Sequence, residues 1–161
     1  MTPESLVEEL RASKEYFDRS SRCLQEEHSK FAPAEGMYTV AQQVAHAAQA
    51  VEWCVEGAFR PEGFDMDMEK AHAEVTRVTS LAEARAWMDR AYAKSMERIG
   101  SSTMEELQQR LPPGPVMGAV PRAAVVAAIC EHTAHHRGAL AVYSRLCGLK
   151  PPMPYMETEA G

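Results

Sequence analysis

At 161 residues the chain is long enough for one domain with a substantial hydrophobic core. Its 23 acidic side chains outnumber 17 basic ones, the pI is near 5.5, and no basic run carries interleaved aromatics, so no nucleic-acid partner is expected. No stretch approaches the ~20 apolar residues of a membrane span, the opening Met1-Thr2-Pro3-Glu4-Ser5 lacks the order of an export signal, and Cys23, Cys54, Cys130 and Cys147 are scattered without a CxxC, so a cytoplasmic protein with free thiols is expected.

The first helix is expected over about 3–25. Thr2 can cap it and Pro3 fits the first helical position, while Leu6, Leu10, Ser13, Phe17, Ser20 and Leu24 repeat at helical spacing. His28, in a charged terminus, reads as solvated, and residues 31–36 read as a loop. Thr39-Val40-Ala41-Gln42 is a capping-box pattern that opens a second helix over 39–59. Its apolar face is Val40, Val44, Ala47, Val51, Val55 and Ala58. His46 falls on a different face with Gln42, Gln43, Gln49, Ala50, Trp53 and Gly57, small and amide side chains that suit a polar cavity beside the core. Glu52 projects away from His46.

Residues 60–79 form a long connection with only a weak helical pattern, and a link of that length can cross a bundle from end to end. His72, within it, reads as surface. Ser80-Leu81-Ala82-Glu83 starts a third helix over 81–99, with a stripe of Leu81, Ala84, Met88, Ala91, Tyr92, Ser95 and Ile99 and Gly100 as a C-cap. A short helix follows Ser102-Thr103-Met104-Glu105, and Pro112-Pro113-Gly114-Pro115 forbids regular structure beyond it. The fourth helix is expected over 121–147. The sum is an all-α chain, a single domain over 1–161 built as a four-helix bundle with a long crossover between its second and third helices.

The fourth helix carries Glu131-His132-Thr133-Ala134-His135-His136-Arg137-Gly138. At about 100° per residue, Val125, Ile129, His132, His136, Ala139, Leu140 and Tyr143 share one face, and His135 sits at its edge. Glu131 faces elsewhere. Two imidazoles one turn apart can converge on one cation, since such positions have Cβ atoms about 5–6 Å apart; two core histidines bonded to carbonyls are the plain alternative. A metal site would need a third ligand from elsewhere in the chain. Tyr143 and Trp53 share the inward faces, as pocket lining or as core. Val126 and Cys130, apolar and outside the main stripe, suggest a further face for a homodimer.

Three stretches together resemble the DinB/YfiT-like family of metalloenzyme-like proteins: Tyr38-Thr39-Val40-Ala41-Gln42-Gln43-Val44-Ala45-His46, then His132 to Gly138, then Gly148-Leu149-Lys150-Pro151-Pro152-Met153-Pro154-Tyr155. The resemblance spans nearly the whole chain. It implies a four-helix bundle with the long crossover and a three-histidine site that maps onto His46, His132 and His136. One departure is Ala139, where many members carry Gln. Three neutral imidazoles leave positions open on a cation, as catalytic sites do; Zn²⁺ is the first choice, and Ni²⁺ or Fe²⁺ also suit imidazole. The resemblance further implies thiol-dependent transfer or isomerisation of a small-molecule substrate, with a low-molecular-weight thiol as cosubstrate, and a homodimer. Metal-dependent hydrolysis, or non-catalytic metal binding in a stress response, are the competing readings. Gln42, Gln43, Trp53, His135 and Tyr143 are the candidate pocket-lining residues.

Overall fold

The computed structural model describes residues 1–156, so the last five residues of the expected 1–161 domain lie outside the described part. Six α-helices follow one another: α1 Pro3–Ser21, α2 Val40–Phe59, α3 Met68–Thr76, α4 Leu81–Gly100, α5 Met104–Gln108 and α6 Ala124–Leu146. The four long ones make a bundle, in which α1 packs on α4 and α6, and α2 packs on the same two from the other side. The expected stripes are the buried ones. Leu6, Leu10 and Phe17 of α1, Val44 and Val51 of α2, Met88 and Tyr92 of α4, and Ile129 and Leu140 of α6 are all closed to solvent. No helix among the described residues is long and apolar enough to cross a membrane.

The element ends depart from the sequence expectation where tertiary partners intervene. Helix α1 stops at Ser21, not near 25, because the Arg85 guanidinium takes the carbonyls of Ser21 and Leu24 at its end. A short 3-10 turn, Glu26–His28, follows. His28 is half-buried there, and its Nδ1 accepts from the Gln25 backbone N–H at 3.0 Å. Glu26 reaches across to the start of α4, where its carboxylate accepts from the N–H groups of Leu81 and Ala82. That carboxylate complements the orphan donors and positive dipole end of the helix, which holds it below the usual carboxylate range. Helix α6 begins at Ala124 rather than 121, since Pro121 bridges Arg110 and the N–H groups of Arg122 and Ala123 bond back to Gln109 and Leu107. Gly100 is the last residue of α4, with Ser101 as its cap.

The crossover contains a real helix. Asp67 caps α3 by accepting from Lys70 N–H at 2.9 Å, Val75 is fully buried, and α3 lies against α2. Two amides of α2 fasten it: Gln42 donates to the Thr76 carbonyl and Gln49 to that of Ala71. The loop before α3 is keyed into α2 by Phe64, whose ring occupies the space above Gly57. A Cβ on Gly57 would stand 2.3 Å from Phe64 Cδ1. Val126, expected outside the main stripe, is fully buried in the core and offers no surface for a partner.

Candidate metal centre

Because α2 and α6 are neighbours, His46 comes to face the His132/His136 pair. The ring centroids are 5.3 Å apart for His46 and His132, 4.8 Å for His46 and His136, and 4.5 Å for His132 and His136. One nitrogen from each of the three rings lies within 4.8 Å of the other two. Thr39 sets the register of α2, accepting from Gln42 N–H while Gln42 returns its side-chain oxygen to Thr39 N–H, a complete capping box.

The orientation of His136 follows from a chain of hydrogen bonds whose polarity is fixed at its far end. The Tyr38 carbonyl can only accept, so Tyr143 Oη donates to it at 3.0 Å. Tyr143 Oη then accepts from Gln43 Nε2 at 3.2 Å, which turns Gln43 Oε1 toward His136. His136 Nδ1 must carry the proton and donates it to that oxygen at 2.7 Å. The proton is therefore on Nδ1, and the lone pair of His136 is on Nε2, 3.3 Å from His132 Nε2. Such an amide partner fixes the tautomer and direction of a ligating imidazole. His132 differs: its Nδ1 is buried with no hydrogen-bond partner among the described residues, and its one partnered ring nitrogen is Nε2, which lies against the lone pair of His136 Nε2.

All three rings are held neutral. Burial pushes His136 down to about 3, aided by the nearby His132, His46 and His135; His132 falls to about 4 by burial and by His46 and His135. His46 is lowered by burial first, then by His72 and His135. Desolvation disfavours the imidazolium, so each ring keeps a lone pair at neutral pH.

The centre opens into a cavity of about 840 Å³ lined by His46, His132 and His135, by Tyr38 and Trp53, and by the crossover helix. His136 is 7 % exposed and lies behind this surface. The candidate lining residues are placed as follows. Trp53 and His135 line the cavity, with Trp53 Nε1 donating to the Asp65 carbonyl at 2.6 Å. Gln42, Gln43 and Tyr143 do not line it. Gln42 caps α2 and holds α3; Gln43 and Tyr143 sit in the core behind His136, which their hydrogen bonds orient. Ala139 is half-buried.

Sequence reasoning missed four lining groups, Glu131, His72, Tyr38 and Glu52. Glu131 was expected to face elsewhere, yet it lines the cavity, because the chamber opens beside the apolar stripe of α6 rather than along it. His72 is exposed as expected, but it belongs to the cavity rim, and its Nδ1 pairs with Tyr38 Oη at 2.9 Å. The Tyr38 ring is in turn 5.4 Å from that of His46. The only signal for Tyr38 was its place just before the α2 cap. Glu52, read as pointing away from His46, also lines the chamber, engaged with Trp87 Nε1 at 2.8 Å and Lys94 at 3.3 Å. It is not part of the three-histidine cluster.

With this geometry in hand, the comparisons with known proteins identify the class. The sequence profile of the DinB family matches residues 2–160, and the chain belongs to that family. Its fold is similar to the crystal structure of a DinB-like protein from Bacillus cereus, with a TM-score of 0.74, 19% identity, and coverage of 94% of this chain and 96% of that one. At that identity the likeness concerns the fold. No match to a curated protein was found.

Proposed function

We propose that His46, His132 and His136 hold one divalent cation, zinc in the first instance with nickel or iron as alternatives, and that the adjoining cavity is the substrate chamber of a metal-dependent enzyme. The observation that carries this reading is the 3.3 Å separation of the two Nε2 atoms on α6, with the His136 lone pair directed by Gln43. Two ligands about 2.0–2.1 Å from a tetrahedral ion stand about 3.3–3.4 Å apart. Three neutral imidazoles with no carboxylate among them fit zinc, nickel or ferrous iron better than a hard oxygen-seeking cation.

Bound there, the ion would supply Lewis-acid activation of water or a thiol at its open positions. The residues of the chain provide the rest. Gln43 and Tyr143 orient the His136 ring, Val125 and Ile129 back α6 with apolar packing, and Trp53 and Tyr38 wall the chamber. Thiol-dependent transfer or isomerisation, with a low-molecular-weight thiol as cosubstrate, is the first reading. Glu131, a carboxylate on the chamber wall beside His132, supports hydrolysis as the second, since it is placed to accept a proton from water. A non-catalytic metal-binding role in stress is the third. The four cysteines are unpaired, in keeping with a reducing cytoplasm.

Turnover of an electrophile in the presence of a thiol, abolished by chelation and restored by zinc, is the result expected of the first reading. Turnover without thiol that is lost in Glu131→Gln would favour hydrolysis. Stoichiometric metal with neither activity would leave a binding protein.

A further inference from the structure

The chamber has a charge character that the histidine cluster does not require. Its walls carry six carboxylates against two cationic side chains, Arg60 and Lys70. Both cations are already engaged, Arg60 with Glu62 and Lys70 with Asp65, each at 3.7 Å. Of the carboxylates, Glu52 is tied to Trp87 and Lys94, and Asp67 caps α3. Glu56 and Glu131 differ, because their side chains make no hydrogen bond or ion pair among the described residues. The charge left without a partner on the chamber wall is therefore negative.

The aromatic lining agrees with this from a different direction. The chain has two tryptophans, Trp53 and Trp87, and both face the cavity, joined by Tyr38. Each indole N–H is committed to the protein, Trp53 to the Asp65 carbonyl and Trp87 to Glu52. What the indoles have left to present is their apolar bodies and electron-rich faces. Those faces attract organic cations, most strongly where water is excluded. The layout is elongated. From His46, Trp53 lies seven residues and Glu56 ten residues along α2, about 10 and 15 Å of helical rise.

We propose that this chamber takes a small molecule bearing a protonated amine or guanidinium, whose cationic end lies against Trp53, Trp87 and Glu56 while its other end reaches the histidine cluster. The proposal rests on reading the cavity as the substrate chamber of the cluster. A divalent ion there would offset negative charge at its own end, beside Glu131, and leave the distal end selective for a cation. Low-dielectric walls focus such a field on the chamber.

Because the only two tryptophans line the cavity, intrinsic fluorescence reads its occupancy directly. The probes are three five-carbon chains, 1,5-diaminopentane, 1,5-pentanediol and glutarate, titrated at constant ionic strength into metal-free and zinc-loaded protein. The diamine is expected to bind at least tenfold more tightly than the diol, with glutarate weakest. In Glu56→Gln/Glu131→Gln that preference should fall at least tenfold; both side chains are exposed and unpaired, and circular dichroism checks that the variant is folded. Equal affinities for the three probes, or a diamine preference unchanged in the double variant, would overturn the proposal. Zinc content measured on the same samples separates the two claims. A diamine preference in protein that takes up no zinc would sink the metal centre and leave the cation-selective chamber, whereas stoichiometric zinc without the preference would do the reverse.

Discussion

His136 Nδ1 donates to Gln43 Oε1 at 2.7 Å, across the interface of α6 and α2. That one contact decides which nitrogen of His136 faces the other two rings. Gln43→Ala is expected to leave a folded bundle but to weaken zinc binding about 10–100-fold, the usual cost of losing the group that orients a ligating imidazole. A competition titration with a chromophoric chelator measures it. Unchanged affinity would mean that the ring is held by packing alone.

The three histidines of α6 should behave differently. His132→Ala or His136→Ala is expected to abolish stoichiometric metal binding, whereas His135→Ala should retain it. His135 lies on the exposed cavity wall, outside the cluster, with its ring edge-on to His136 at 5.0 Å. Elemental analysis of the three variants decides this, and loss of metal from His135→Ala alone would contradict the assignment.

The pH dependence follows from the lowered imidazoles. Their unfolded-state pKa is about 6.5, above the folded values of about 4 for His132 and about 3 for His136. The unfolded chain therefore binds more protons below pH 6.5, and metal-free stability falls as the pH drops through that value toward the folded ones. Between pH 7 and 5 the loss should be about 2 kcal/mol in total, after allowing for solvent screening at the cavity side of His132. Urea titrations at the two pH values read it. Protons compete weakly for such rings, so zinc should stay bound below the pH of about 6 at which free imidazoles release it. A metal-free stability flat from pH 7 to 5 would contradict the burial argument.

Gly57→Ala probes the wall of the chamber. Alanine favours the helix by about 1 kcal/mol, but its Cβ would collide with the Phe64 ring, and overpacking costs about 1–3 kcal/mol. The ring must move, and it is 4.7 Å from Trp53. A net loss of up to about 2 kcal/mol is expected, together with a shifted tryptophan emission. A higher Tm with unchanged emission would show that the loop is not keyed to α2.

Much of this was legible in the sequence, because local periodicity carries it. The stripe from Leu81 to Ile99 is the buried face of α4 residue for residue, and the i, i+4 spacing of His132 and His136 put them on one face. What periodicity cannot carry is a bond across 93 residues. Gln43 was placed on the polar face of α2 and read as pocket lining, whereas it turns inward to His136. Glu131 and Glu52 were misread for a related reason: a helical wheel gives directions around one helix, and the chamber lies between three. Helix α3 has a weak apolar pattern because one residue, Val75, supplies its buried anchor, while Gln42 and Gln49 of α2 hold its carbonyls.

His46 is the residue on which the centre depends, since two imidazoles on one turn hold a cation loosely and a third from α2 fixes it. The most direct test is an anomalous difference map from crystals of untagged protein grown with one equivalent of zinc. One peak per chain is expected, about 2.0–2.1 Å from a nitrogen of each of His46, His132 and His136, with at least one further position open to the cavity. No peak at the cluster, or a peak bonded to His132 and His136 with His46 turned away, would contradict the three-histidine centre.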